Sequence, residues 1–228
     1  MSVQQRESRE EAASTATAAP DYFSVFALPR KLNIDTDALQ KQFYSESRRL
    51  HPDRFAGKPE AEQQWATERS SLLNDSYRAL KDPIARTEYL LSLEGVQLEE
   101  QSKSATDAAR ASGKAKQQTV PPELLEEVFD LNMQLQELRM AHEMGEAADA
   151  DTTESLKLAK ANFEARLVAL DTELRSIWTE WDSLIDANAS DEPGRKALRD
   201  RMVDLLNRRN YIRNLVRDVN DALDKASA

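Results

Sequence analysis

The chain holds only two histidines, and one of them, His51, stands in the segment RRLHPDRFAG beside Pro52 and Asp53. A histidine next to an aspartate could act in acid–base catalysis or bind a metal ion. The other histidine, His142, is far away in the sequence. There is no cysteine, so the chain can form neither a thiolate metal site nor a cysteine nucleophile. The His51 segment is therefore either a catalytic or metal-binding site or a surface that another protein contacts.

Motifs for enzymatic chemistry are missing from the sequence. It has no glycine-rich phosphate loop and no histidine–carboxylate cluster at the spacing that metal ligands require. A Ser–His–Asp arrangement on His51 stays open, because triad partners can be far apart in sequence, but no nucleophile-elbow motif supports it. We predict that the chain is not an enzyme, and a hydrolase built on His51 is the rival hypothesis.

The composition, with 40% hydrophobic residues, 32% charged residues and only 5 glycines, is typical of a helical protein. A net charge of −10 argues against general nucleic-acid binding, which needs a basic surface. No apolar run reaches the roughly 20 residues that a membrane span requires. The lack of cysteine fits a reducing compartment, so we expect a cytoplasmic protein.

One segment departs from this acidic average. Residues 30–58 carry seven basic side chains against four acidic ones. The basic residues closest to the histidine motif, in sequence or on the preceding helix, are Lys41, Arg48, Arg49 and Arg54. On charge alone, a solvated helix face explains them as well as a binding surface does.

A helix is predicted immediately before the histidine motif, in DTDALQKQFYSESRRL. Asp35 or Thr36 serves as its N-cap, and the spacing of its apolar residues is helical. The helix must stop near His51, because a residue before proline is disfavoured in the α conformation.

Two more helices are predicted after the motif. One covers about residues 60–80, with Trp65 among its apolar positions. The next lies in KDPIARTEYLLSLEG, where Asp82 is a suitable N-cap, Pro83 suits the first helical position and Gly95 is a natural stop.

Residues 99–118 contain no apolar side chain larger than alanine and cannot contribute to a core. We read this region as a flexible linker that divides the chain in two. The predicted organisation is a disordered tail over 1–20, a first domain over 21–96, a linker over 97–119 and a second domain over 120–228.

Three long helical patterns follow the linker, each with apolar residues three and four positions apart. The breaks near Gly145 and Pro193 favour chain reversal, so an antiparallel three-helix bundle is the simplest architecture. An extended coiled coil is the alternative. In either case the fold class is all-α.

The motif LHPDRF, between a basic helix and an apolar one, resembles the J-domain of Hsp40-type co-chaperones, whose hallmark is His-Pro-Asp between antiparallel helices. With LNDSYRALKDPIARTEYLLSLEG and PPELLEEVFDLNMQLQEL, it resembles the HscB family of J-type co-chaperones in iron–sulfur cluster assembly. The resemblance covers residues 21–96 closely and 120–228 more loosely. Three features depart from it: Glu46 stands where a core leucine is usual, the linker is longer, and the N-terminal cysteine module of some eukaryotic relatives is missing.

The resemblance implies a J-domain that stimulates the ATPase of an Hsp70-type (HscA-like) chaperone. It also implies a C-terminal bundle that delivers an iron–sulfur cluster scaffold protein (IscU-like) to that Hsp70. No cofactor, nucleic acid or membrane is expected as a partner. The alternative is a J-domain co-chaperone whose bundle binds a different client. The implied Hsp70-binding residues are His51, Pro52, Asp53, Lys41, Arg48, Arg49 and Arg54.

A second apolar stripe, Leu125, Phe129 and Met133, lies about 100° around the first C-terminal helix from its core stripe. A helix in a three-helix bundle touches two neighbours, so the pattern alone also allows this stripe to be internal. Two of the implied positions, Glu126 and Met133, differ in character from what family members often carry. The implied scaffold-binding residues are Leu125, Glu126, Phe129, Asp130, Met133, Glu137 and Tyr211.

Overall fold

All regular structure among the described residues is helical, in agreement with the predicted all-α class. The computed structural model describes residues 21–96, 98, 121–144, 149–187 and 191–226. The predicted tail, and the predicted linker apart from Leu98, lie outside the described residues. The chain divides into two compact units, Met1–Leu90 and Leu91–Ala228. Among the described helices, none is both long and apolar enough to cross a membrane.

The first unit is built from a short helix, a helical hairpin and the start of a fourth helix. The division between the units falls within that last helix. The elements are α1 (Tyr22–Val25), α2 (Thr36–Leu50), a 3₁₀ turn (Pro52–Phe55), α3 (Glu60–Lys81) and α4 (Pro83–Leu93).

The predicted helix ends are confirmed, because the capping residues act locally. Oδ1 of Asp35 accepts hydrogen bonds from the backbone nitrogens at the start of α2, and α2 ends at Leu50. Oδ1 of Asp82 accepts from the Ala85 nitrogen at 2.8 Å, which caps α4. Gly95 follows α4 with φ of 77°, a conformation that favours glycine.

Helices α2 and α3 form an antiparallel hairpin. Phe43 of α2 stacks on Tyr77 of α3, with ring centroids 4.1 Å apart. At the other end, Phe55 of the connecting turn contacts Trp65, with centroids 6.1 Å apart. Leu39, Leu73 and Leu80 are among the buried residues of this unit. Their burial fixes which faces of the hairpin remain in solvent.

Helix α1 is anchored to the rest of the first unit by Asp21 and Tyr22. Oδ1 of Asp21 accepts from the Ser24 nitrogen at 2.8 Å, and its Oδ2 pairs with Nη2 of Arg30 at 2.8 Å. The Tyr22 ring stacks on Tyr89 at 4.3 Å, and the Tyr22 nitrogen donates to the Tyr89 hydroxyl. The Asp21 contacts are local, whereas the Tyr22 contacts join α1 to α4, which is far away in the sequence.

The second unit contains three long helices, α5 (Leu125–Met144), α6 (Ala150–Asp186) and α7 (Glu192–Ala226), preceded by a 3₁₀ turn at Pro122–Leu124. The predicted three-helix bundle is confirmed. Its alternative, an extended coiled coil, does not fit a core to which all three helices contribute side chains.

Polar contacts show the direction of neighbouring helices in the bundle. From α5 to α6, Glu127 pairs with Arg166 at 2.7 Å and Gln134 bonds to Ser155 at 2.9 Å, so the two helices are antiparallel. The α6–α7 pair has the same arrangement, shown by the Asp171–Arg209 and Glu180–Arg201 ion pairs.

The apolar stripes of the three helices pack together in the core of the bundle. Apolar residues spaced by three and four positions, the pattern predicted for a core stripe, are buried here: Leu124 in the preceding turn and Val128, Leu131, Leu135 and Leu138 in α5. Phe163 of α6 and Val219 of α7 lie in the same cluster. The opposite side of α5 therefore faces away from this core.

Candidate functional site

The His-Pro-Asp loop begins where α2 ends, because Pro52 stops the helix and starts the 3₁₀ turn. His51 is the N-cap of that turn. Its Nδ1 atom accepts a hydrogen bond from the Asp53 nitrogen at 3.3 Å, and its carbonyl oxygen accepts from the Arg54 nitrogen at 3.0 Å. The loop is therefore a short, locally fixed structure.

Both chemical groups of the loop face solvent. The side chain of Asp53 is 88% exposed and that of His51 is 57% exposed, with Nδ1 and Oδ2 3.4 Å apart. Within the described ranges, no group of three or more histidine, aspartate or glutamate side chains could hold a metal ion. The imidazole and the carboxylate can therefore be reached together from solvent.

The basic side chains predicted to act with the loop are exposed on α2 and the turn. Nη1 of Arg49 pairs with Oε1 of Glu46 at 2.8 Å. Nη1 of Arg54 donates to the Arg48 carbonyl at 3.4 Å, which keeps Arg54 close to the end of α2. Arg48, Arg49 and Arg54 thus place positive charge next to the loop, and the Glu46 carboxylate offsets part of it at Arg49.

Tyr44 is a candidate contact that the sequence argument missed. Its side chain is exposed, and its spacing places it on the same face of α2 as Lys41 and Arg48. The Arg48 side chain donates to the Tyr44 carbonyl at 3.2 Å. The spacing of three and four residues between these side chains was the signal that could have found it.

Glu46, the residue at the usual core leucine position, is only partly buried. It lines an open groove between α2 and α3 together with Arg49, Trp65 and Arg69. The carboxylate meets a guanidinium there and stays near solvent, so its charge is not stranded in the core. The hairpin is therefore open to solvent at Glu46, whereas Phe43, on the preceding turn of α2, stacks on Tyr77.

The second apolar stripe of α5 is not internal. Leu125, Phe129 and Met133 are 54%, 65% and 57% exposed, so the internal alternative left open by the pattern is wrong. Large apolar side chains in a row on a helix surface are typical of a protein-binding face. We call Leu125, Phe129 and Met133 the outer stripe of α5.

Acidic residues border the outer stripe. Glu126, Asp130 and Glu137 are all exposed on α5. Asp130 and Glu137 line a shallow groove with Met133 and Met140. An apolar centre with a charged border is the usual anatomy of a small binding surface.

Tyr211 does not join this surface. It is only 8% exposed and belongs to the core cluster of the bundle. Burial removes water from the phenol and raises the pKa of Tyr211. In this structure Tyr211 packs in the bundle core, and its contact with a scaffold protein stays a prediction.

Solved structures that are similar to this chain over most of its length include two HscB proteins. The chaperone HscB from Vibrio cholerae is 25% identical, with a TM-score of 0.55 over 90% of this chain and 98% of that one. The human co-chaperone protein HscB is 20% identical, with a TM-score of 0.57 over 89% of this chain and 81% of that one. No protein-family model matches the chain. The resemblance to HscB co-chaperones indicated by the sequence is confirmed.

Proposed function

We propose that this chain, as a structural relative of the HscB chaperones, is a co-chaperone in iron–sulfur cluster assembly. It stimulates ATP hydrolysis by an HscA-like Hsp70 and delivers an IscU-like scaffold protein to it. The observation that carries the proposal is the display of His51 and Asp53 at the end of a basic helix. Residues 21–96 would bind the Hsp70, and residues 120–228 would bind the scaffold.

The Hsp70 contact is proposed to centre on the His-Pro-Asp loop. The Asp53 carboxylate, almost fully exposed, can accept charge-assisted hydrogen bonds from an arginine of the partner. The surrounding cations would speed encounter with an acidic surface and orient it. The proposed contact residues are His51, Pro52, Asp53, Lys41, Arg48, Arg49 and Arg54.

The scaffold contact is proposed to centre on the outer stripe of α5. Burying Leu125 and Phe129 against a partner removes apolar surface from water, and Met133 can adapt its shape to the partner. Glu126, Asp130 and Glu137 would then form the rim, where they favour a partner with basic groups. The side chains of this surface are exposed and separate from the buried core stripe of α5, so binding need not disturb the fold.

The test is ATP turnover by the HscA-like Hsp70, with and without the chain and the scaffold. We expect the chain to raise the rate and the scaffold to raise it further, because the two partners meet on one bridging protein. Unchanged turnover in the presence of the chain would overturn the proposal. Stimulation without any scaffold binding in a pull-down would instead favour the alternative, a co-chaperone with a different client.

A further inference from the structure

Three exposed methionines are concentrated on the outer side of α5. The chain has five methionines in all, and Met202 is fully buried in the second unit. Met133, Met140 and Met144 are 57%, 45% and 67% exposed. Their spacing of seven and four residues places them on one helix face, which continues the line of Leu125 and Phe129.

Met133 and Met140 belong to one local site. They line the same shallow groove, with Asp130, Gln134, Gln136 and Glu137. The chain has no cysteine, so its thioethers are the sulfur groups that an oxidant can reach. Exposure determines which of them reacts first, and it separates these two side chains from Met202.

We propose that Met133 and Met140 form an oxidation-sensitive modification site that controls release of the scaffold protein, an inference that rests on the proposed function. The oxidant class is a peroxide. A lone pair of the thioether sulfur attacks one peroxide oxygen and the O–O bond breaks. With hydrogen peroxide, the attacked oxygen stays on sulfur as the sulfoxide and loses its proton, and the other oxygen takes up that proton and leaves as water. Sulfur is oxidised by two electrons and the peroxide is reduced by two.

Oxidation would weaken scaffold binding because it makes the methionine side chain polar. A thioether is soft and apolar and can be buried in an interface, whereas a sulfoxide is polar and must keep its hydrogen bonds to water. Its oxygen is also a hydrogen-bond acceptor, placed beside the carboxylates of Asp130 and Glu137. A partner docked on the outer stripe would therefore lose affinity, while the core on the other side of α5 would be unaffected. Reduction of the sulfoxide restores the original surface.

The experiment uses the full chain, hydrogen peroxide and the IscU-like scaffold. Peptide mass spectrometry follows the oxidation of each methionine, and calorimetry measures scaffold affinity before and after treatment. We expect Met133 and Met140 to be oxidised well before Met202, with affinity reduced roughly tenfold or more, as for loss of an interface hot spot. Circular dichroism should show unchanged helix content.

The double variant Met133→Leu/Met140→Leu is the matched control, and its affinity after peroxide is compared with its own value before treatment. We expect no loss in this variant. If the untreated chain does not bind the scaffold, the proposed function fails and this inference fails with it. If the untreated chain binds, and affinity persists after both methionines are fully oxidised, the inference alone is overturned. An equal loss in the double variant would also overturn it.

Discussion

The imidazole of His51 caps the turn that displays Asp53: its Nδ1 atom lies 3.3 Å from the Asp53 nitrogen and 3.4 Å from the Asp53 carboxylate. The histidine therefore has a structural role inside the loop, which is separable from its proposed contact with a partner. Substitutions can distinguish them, because the capping role needs only a side-chain acceptor at position 51.

His51→Asn should keep the cap and lose the contact. Asparagine is a good N-cap residue, so we expect the free energy of unfolding to change by less than about 0.5 kcal/mol. Hsp70 stimulation should nevertheless fall close to the basal rate, because the imidazole is gone. Urea unfolding and ATP turnover measure the two effects.

Asp53→Asn provides the companion variant. It retains the backbone nitrogen that bonds to His51 and removes only the charge of the exposed carboxylate. Loss of stimulation in both variants, with both folds intact, supports a displayed contact. Normal stimulation by either one would show that its side chain is not needed.

Leu125→Ala and Phe129→Ala should weaken scaffold binding without weakening the fold. Both side chains are exposed, so the free energy of unfolding should shift by less than about 0.5 kcal/mol. Scaffold affinity should fall by roughly tenfold or more, as for interface hot spots. Leu158→Ala is the matched control, because Leu158 is an exposed leucine on the outer side of α6. An equal loss of affinity there would argue against a specific site on α5.

Tyr211 should behave as a core residue. Tyr211→Ala removes a buried ring from the bundle, and we expect a loss of about 3–5 kcal/mol in the free energy of unfolding. Tyr211→Phe keeps the ring, so scaffold affinity measured by calorimetry should stay within about twofold of the wild type. A large loss of affinity in a stable Tyr211→Phe protein would show that the hydroxyl contacts the scaffold after all.

The charge near the loop should act mainly on association rate. The double variant Lys41→Glu/Arg48→Glu should slow binding to the Hsp70 on the order of tenfold at low salt, with a smaller effect as salt rises. Lys157→Glu/Lys196→Glu changes the net charge equally but lies in the second unit. Stopped-flow kinetics should show little change for that control, and equal slowing would point to net charge alone.

Asp21 gives the first unit a pH-dependent component of stability. Burial acts to raise the pKa of Asp21, but hydrogen bonds from Arg30 and the Ser24 nitrogen outweigh it and leave the pKa below its ordinary value of 3.8. Because the folded pKa is lowered, the stabilisation is present above 3.8 and is lost as pH falls through the folded value.

Asp21→Asn keeps a capping oxygen and removes the charge. We expect the wild type to be more stable near neutral pH by about 0.5 kcal/mol, since the Arg30 partner is partly exposed. The difference should narrow as the pH is lowered below 3.8. Urea unfolding of the two proteins across this range measures it, and a constant difference would contradict the assignment.

Local signals predicted the helix ends well, because caps act within a few residues. Asp35, Asp82 and Gly95 all took the roles that their sequence positions indicated. Periodicity also predicted the bundle core. Contacts between residues far apart in the sequence could not be predicted in this way: nothing near Tyr22 indicated that its ring stacks on Tyr89. Trp65 was predicted at an apolar position, yet it is about half exposed at the edge of a groove.

In the candidate site, too, the sequence could not show which side chains are exposed. The sequence contained both stripes of α5, but only the packing of three helices showed which stripe remains outside. The burial of Tyr211 could not be predicted either, because an aromatic residue at a bundle position can face either a neighbour or solvent. Exposure depends on which helices are neighbours, and that information is not local.

Helix α5 uses alternate faces for the core and for solvent, so its two sets of side chains can change independently. Val128 and Leu131 are buried in the bundle core, whereas more than half of the Leu125 and Phe129 side chains is exposed. New partner preferences could therefore be selected, or engineered, by replacing a few outer residues of one helix. The outer stripe of α5 could then be given a different partner while the bundle that carries it stays intact.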